Sequence, residues 1–127
     1  MGDKARYSFS GGTETLRERS KVNGKRGHKL LTAEARKRLP LIGATEGQGE
    51  EAVAQVKFFS PYNGWRWYAT EFDGKDTFFG LVEGWESEWG YFSLSELEAA
   101  TFRGIVPAVE RDLGFQPQKV SELKEAA

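Results

Sequence analysis

Residues 53–92 read VAQVKFFSPYNGWRWYATEFDGKDTFFGLVEGWESEWGYF. This stretch holds all four tryptophans, three of the four tyrosines and six of the nine phenylalanines. Turns that contain glycine interrupt it at 61–64, 73–76 and 83–84. Short runs rich in aromatic and β-branched residues, separated by such turns, are typical of antiparallel strands. The pattern therefore predicts a four-stranded meander with strands at 53–59, 65–72, 77–82 and 89–92.

Alternation along 65–72 assigns side chains to the two faces of that strand. It places Trp65, Trp67 and Glu71 on one face and Tyr68 on the other. The segment 77–82 is apolar on both faces, which indicates a central strand. The predicted core residues are Phe58, Tyr68, Phe79, Leu81, Leu94 and Leu97.

Short helices are predicted on either side of the meander. Thr32 is a candidate N-cap, and Pro40 ends the helix that it starts. Ser93 and Glu96 have the spacing of a capping box for a second helix. The segment 106–112 is a candidate edge strand, and a short terminal helix is expected at 121–125. The predicted fold class is α+β, an antiparallel four- to five-stranded meander sheet with short helices packed on it.

The 127 residues suit one domain, and the charge divides them into two parts. Residues 1–28 carry seven Lys or Arg against three acids, a net charge of +4, and lack a periodic apolar pattern. Residues 29–127 carry a net charge of −5. We expect a flexible basic arm over 1–28 and a single α+β domain over 29–127.

Several classes of function are disfavoured by what the sequence lacks. It has no cysteine, no apolar run long enough to span a bilayer and no apolar signal segment, so a cytoplasmic protein without a membrane role is expected. Its one histidine, His28, lies in the basic arm and is expected to be solvated. There is no glycine-rich phosphate loop and no nucleophile motif. We expect no enzyme activity, no cofactor and no metal site.

Acidic and aromatic residues near the hairpin ends are the candidate binding residues. Solvated turns explain most of the acids, and a metal or acid–base role is the alternative. Trp65 and Trp67 belong either to the core or to a partly exposed recognition surface. The candidate set is Trp65, Trp67, Glu71, Asp73, Asp76, Glu83, Glu86 and Glu88.

A series of motifs gives the sequence a specific resemblance to a known family. They include 31–34 (LTAE), 65–74 (WRWYATEFDG), 77–82 (TFFGLV) and 88–97 (EWGYFSLSEL), in this order. From residue 30 onward the chain resembles the domain-of-unknown-function family numbered 2958. Its members are small bacterial proteins, often encoded on plasmids, integrative elements and phages. The resemblance implies an accessory role in a mobile element and supplies no catalytic residues.

Three functional hypotheses remain open. The first is a non-enzymatic interaction module of a mobile element, which modulates or inhibits a host defence or DNA-processing protein by binding its basic surface. The second is a nucleic-acid accessory factor that uses the arm. Its candidate contact residues are the basic side chains of Arg17, Arg19, Lys21, Lys25 and Arg26. The third is a carboxylate-dependent enzyme.

Overall fold

The computed structural model describes residues 26–126, and the side chains of 26–123. Its helices are α1 (Ala33–Arg38), a 3₁₀ helix (Gly49–Glu51), α2 (Leu94–Ala99) and α3 (Val120–Ala126). Its strands are β1 (Val53–Ala54), β2 (Val56–Phe59), β3 (Arg66–Phe72), β4 (Thr77–Glu83), β5 (Ser87–Ser93), β6 (Thr101–Phe102), β7 (Val106–Pro107), β8 (Glu110–Arg111) and β9 (Gln118–Lys119). Four of the five predicted arm bases, those at 17–25, lie outside the described residues.

The main sheet is the predicted α+β meander. Its strand order is β5-β4-β3-β2-β8, and each neighbouring pair is antiparallel. The predicted strand at 53–59 divides at Gln55, because β1 pairs with β9 while β2 stays in the main sheet. The predicted edge strand at 106–112 also divides, into β7, which pairs with β6, and β8, which supplies the fifth strand.

Local capping starts the two helices next to the meander. The hydroxyl of Thr32 accepts a hydrogen bond from the amide of Ala35 at 3.1 Å, and the hydroxyl of Ser93 accepts one from the amide of Glu96 at 3.0 Å. Each bond satisfies an amide that has no partner within the helix. Both predicted N-caps are confirmed.

The main core lies between one face of the sheet, here called the helix face, and helices α1 and α2. It is built around Phe78, whose ring contacts Phe58, Phe72 and Phe92 with centroid separations of 5.4, 4.6 and 5.2 Å. The remaining large members come from strands β2, β3 and β4, from α2 and from segments next to α1 and β8: Leu30, Leu31, Leu39, Val56, Trp67, Val82, Leu94, Leu97 and Val109.

The opposite face of the sheet, here called the outer face, has a smaller core covered by α3. Tyr68 and Leu81 pack there with Val120 and the half-buried Phe115. Burial, and then the charge of Glu83, raise the pKa of Tyr68 above its ordinary value of 10.0. Five of the six predicted core residues are buried as expected.

Phe79 is the exception among the predicted core residues. It is only half-buried, because it lies on the outer face beside Trp89 and Tyr91, where a cleft adjoins the sheet. Its neighbour Phe78 faces the helices and is fully buried. The central phenylalanine of the core is therefore one residue earlier than predicted.

A β-bulge interrupts the pairing of β3 with β4. Ala69 pairs with Gly80, but Glu71 pairs with Phe79, so Thr70 is the additional residue. The hydroxyl of Thr70 donates to the carbonyl of Phe79 at 3.1 Å. One extra residue reverses the alternation of the strand. The prediction that Glu71 shares a face with Trp67 is therefore wrong, and Glu71 lies on the outer face.

Gly80 allows the two backbones to approach each other at this bulge. A Cβ atom at position 80 would lie 1.8 Å from the carbonyl oxygen of Tyr68. We expect Gly80→Ala to lower the free energy of unfolding by about 3 kcal/mol, since backbone must move to admit the methyl group. Gly114→Ala is the control, because its nearest atom would be a side-chain oxygen of Asp112 at 3.7 Å. Equal urea midpoints for the two variants would contradict this packing.

The two neighbouring phenylalanines of β4 should differ in their contribution to stability. Phe78→Ala removes a fully enclosed ring and should cost about 3–5 kcal/mol in urea unfolding. Phe79→Ala removes a half-exposed ring and should cost clearly less. A larger loss for Phe79→Ala would mean that the faces of β4 are assigned the wrong way round.

Candidate functional site

Glu71 holds the loop at 41–48 against the outer face. Its Oε1 accepts from the amide of Gly43 at 2.7 Å, and its Oε2 accepts from the amide of Thr45 at 2.7 Å and also from the Thr45 hydroxyl. Gly43 has φ of +93°, a conformation that favours glycine. Glu71 is only 3% exposed. It therefore organises the loop from within and is not exposed to a partner, although the sequence analysis placed it among the candidate binding residues.

Two further predicted acids serve the turn between β3 and β4. Asp73 Oδ1 accepts from the amides of Lys75, Asp76 and Thr77 at 2.7–3.0 Å. These bonds, that from Lys75 first, lower the pKa of Asp73 from its ordinary value of 3.8. Asp76 accepts from the amide and the hydroxyl of Ser95 at 2.9 and 2.7 Å, and so ties the turn to α2. Both carboxylates have structural partners, which agrees with the interpretation that most of these acids belong to turns.

The three remaining predicted acids lie at the other end of the sheet. Glu83 forms an ion pair with Arg66 at 3.2 Å, and Glu86 is exposed in the turn between β4 and β5. Glu88 is half-buried on the helix face, opposite Val82. Its Oε1 atom is buried and accepts no hydrogen bond from the residues that the structure describes. Glu86 is thus the acid of these three that is open to an external donor.

Tryptophans at the same end of the sheet differ sharply in exposure. Trp67 is fully buried in the main core and faces the helices, so the core is the alternative that holds for this residue, and it is not on an exposed recognition surface. Trp65 is half-buried and rests on Gly84, where a Cβ atom would lie 2.7 Å from the indole. Trp85 is 93% exposed and meets Trp65 edge-on, with centroids 5.9 Å apart.

Trp85 is the site residue that the sequence interpretation missed. It follows Gly84 directly in a turn between two strands, and a turn offers a side chain little to pack against. That position was the available signal. Trp85 belongs to the same aromatic stretch as the strand residues, and composition alone does not distinguish it from them.

A second pair of aromatic residues belongs to this end of the molecule. Tyr62, in the turn between β2 and β3, stacks on Phe102 with centroids 4.1 Å apart and an interplanar angle of 6°. Arg103 lies over the Phe102 ring at 5.0 Å. The term hairpin-tip surface is used below for this set: Tyr62, Trp65, Glu83, Trp85, Glu86, Glu88 and Phe102.

An open cleft separates the outer face from the loop at 41–48. Its volume is about 440 Å³. Phe79, Trp89 and Tyr91 form its floor, and the lining also includes Glu71 from β3 and Glu46 from the loop. The term sheet-face cleft is used below for this cavity, whose volume lies in the range of small-ligand sites.

Arg26 is the only predicted arm base among the described residues. Its guanidinium donates to the carbonyls of Val109 and Glu98 at 3.1 and 3.4 Å. These bonds attach Arg26 to the domain. His28, two residues later, is exposed.

Residues 26–126 contain no helix that is both long and apolar enough to cross a membrane. In the same part of the chain, no three His, Cys, Asp or Glu residues are grouped so that they could hold a metal ion.

The comparison with protein families agrees with the motifs. The family model described as "Protein of unknown function (DUF2958)" matches residues 30–127. This match covers most of the chain, and the protein belongs to that family. No curated protein and no solved structure matches the chain significantly.

The bonds from Glu71 generate a prediction about the loop. In Glu71→Ala the amides of Gly43 and Thr45 lose their acceptor, so we expect both to exchange with deuterium faster. The free energy of unfolding should fall by about 2–3 kcal/mol, because hydrogen bonds to a charged group are lost. Glu46→Ala, an exposed change in the same loop, is the control. Unchanged exchange at Gly43 in Glu71→Ala would contradict the anchoring role.

Proposed function

We propose that this protein is a non-enzymatic interaction module of a plasmid, phage or integrative element. In this proposal it modulates or inhibits a host defence or DNA-processing protein by binding a basic surface on it. The contact is made by the hairpin-tip surface. The observation that supports this most is Trp85, an indole that is 93% exposed in a turn and meets Trp65 edge-on.

The energetic argument begins with the indole. An exposed tryptophan leaves a large apolar surface in water, and its burial against a partner would release that water. Tryptophan is also enriched among the residues that dominate binding energy in protein interfaces. Trp65 places a second aromatic ring beside this indole, with the centroids 5.9 Å apart. The stacked pair of Tyr62 and Phe102 adds aromatic surface at the same end of the sheet.

The charge argument concerns the preference for a basic partner. Glu86 is exposed, and Glu88 keeps one buried oxygen that receives no donor from the described residues. A lysine or arginine from a partner would pair with the exposed carboxylate of Glu86, whereas the buried oxygen of Glu88 is out of its reach. Glu83 contributes less, since Arg66 already neutralises it. The proposed interface is therefore an aromatic anchor with a small acidic border.

The test begins with capture of the partner from the native host and its identification by mass spectrometry. Trp85→Ala should then weaken binding of the purified partner by about 2 kcal/mol or more, roughly a 30-fold rise in Kd. Its stability should stay within about 0.5 kcal/mol of the parent protein, because the residue is exposed. Leu113→Ala is the matched control, an exposed apolar residue outside the hairpin-tip surface.

The acidic border is tested in the same experiment by the rate of association and its dependence on salt. Glu86→Lys should slow association most strongly at low salt, as expected for a charge at the border of an interface. Full binding by both Trp85→Ala and Glu86→Lys would refute the proposed surface.

The competing hypothesis is a nucleic-acid accessory factor. It rests on the net charge of +4 over residues 1–28, and four of its five candidate bases lie outside the described residues. A salt-dependent mobility shift on DNA that disappears on deletion of residues 1–25 would favour it. The deletion should stop at residue 25, since Arg26 bonds to the domain.

A further inference from the structure

We propose that the sheet-face cleft binds a guanidinium group. This site is separate from the hairpin-tip surface: it adjoins the outer face near the Thr77 end of β4, whereas the hairpin tip lies beyond Glu83. The proposal rests on three features of the cleft, which are its aromatic floor, its charge and its dimensions.

The floor of the cleft presents three rings from two neighbouring strands. Phe79 lies between the other two: its ring is nearly parallel to Trp89, at 18° and 5.9 Å, and edge-on to Tyr91, at 60° and 5.0 Å. All three keep part of their surface open to solvent. Aromatic faces attract cations, and tryptophan does so most strongly.

The charge of the lining has one sign. Glu46 and Glu71 are its two ionisable acids, and none of its described residues is a lysine, arginine or histidine. Glu71 is buried, and both of its oxygens already accept hydrogen bonds from the loop, so it provides negative charge from beneath. Glu46 is exposed in the same loop and lines the cleft, so it is the acid that a ligand can meet directly.

A guanidinium fits these features better than an ammonium group does. It is planar, stacks on aromatic faces and gives up its weaker hydration at less cost. Its fork of N–H donors also matches a carboxylate such as that of Glu46. An ammonium is compact and strongly hydrated, so a floor of rings replaces its water less well. A cleft of about 440 Å³ has room for the aliphatic stem and backbone of an arginine as well as its guanidinium.

The test follows the four indole N–H signals in two-dimensional ¹⁵N–¹H spectra of the full chain. The probes are N-acetyl-arginine amide, the lysine analogue and the citrulline analogue, which has nearly the shape of arginine without its charge. The signal of Trp89 should shift on titration with arginine amide, and that of Trp85 should not. Arginine amide should bind about tenfold more tightly than citrulline amide, because cation–π attraction and the carboxylates act only on the charged group.

Variants of the cleft make the test specific. Tyr91→Ala should abolish the Trp89 shift, and Glu46→Gln should weaken binding by about two- to fivefold, as for an exposed charge. Glu34→Gln on α1 is the matched control, an exposed glutamate outside the cleft lining, and should bind as the parent protein does. Amide spectra of each variant verify that the fold is retained.

The outcomes separate the source of the guanidinium from the proposal itself. Saturation by the free amide supports a small guanidino compound, whereas binding only by an arginine-containing peptide, lost in Tyr91→Ala, supports an arginine side chain of a protein. Equal binding of citrulline and arginine would overturn the proposal, as would a failure of both arginine probes to shift Trp89. Trp85→Ala should leave the titration unchanged, so this result is independent of the hairpin-tip surface.

Discussion

The extra residue at Thr70 determines where the neighbouring side chains of β3 point. Without it, strict alternation would put the Glu71 carboxylate into the helix-face core and turn Phe72 outward. A carboxylate placed among those rings would be costly unless hydrogen-bonded donors accompanied it. With the bulge, Phe72 packs on Phe78, and Glu71 meets the amides of the loop at 41–48. The sheet-face cleft exists because that loop is held over the outer face.

Hydrogen bonds from the backbone also accompany other acidic residues near the hairpin ends. Glu71, Asp73 and Asp76 each accept hydrogen bonds from backbone amides, and these bonds define a loop, a turn and the start of a helix. Their acceptor oxygens are used within the chain, which reduces the hydrogen bonds that they can offer directly to a partner. At the hairpin tip, the acid that stays open to a partner is mainly Glu86. An aromatic anchor with few charges is how the centre of many protein interfaces is built.

The sequence predicts those parts of the fold that depend on near neighbours. Thr32 and Ser93 act as N-caps because their partners lie three residues away, and the glycine-containing turns separate the strands as expected. The bulge was not predictable from alternation, since it depends on the close approach of β3 and β4 at Gly80. The extra residue of the bulge, Thr70, is what moves Glu71 to the outer face.

Exposure of the aromatic residues was the other point that local patterns did not resolve. Trp67 and Trp85 have the same chemistry, yet one is fully buried and the other almost fully exposed. Trp85 is exposed because it lies in a turn, whereas the burial of Trp67 is set by which elements cover its side of the sheet, and that is a property of the whole chain. The same reason explains Phe79, which α3 does not reach, and it explains why the cleft was absent from the sequence prediction.

The two proposed binding regions share the β4–β5 hairpin, and this limits how they could influence each other. Phe79 and Trp85 are six positions apart, which corresponds to roughly 20 Å along an extended strand. Continuous antiparallel pairing from Thr77 to Glu83 joins them, and coupling between sites requires an element with two arrangements. A paired hairpin offers one. A typical interface covers about 800 Å² on each partner, enough to span this distance. Cooperation between the two regions would therefore come from one basic partner that contacts both.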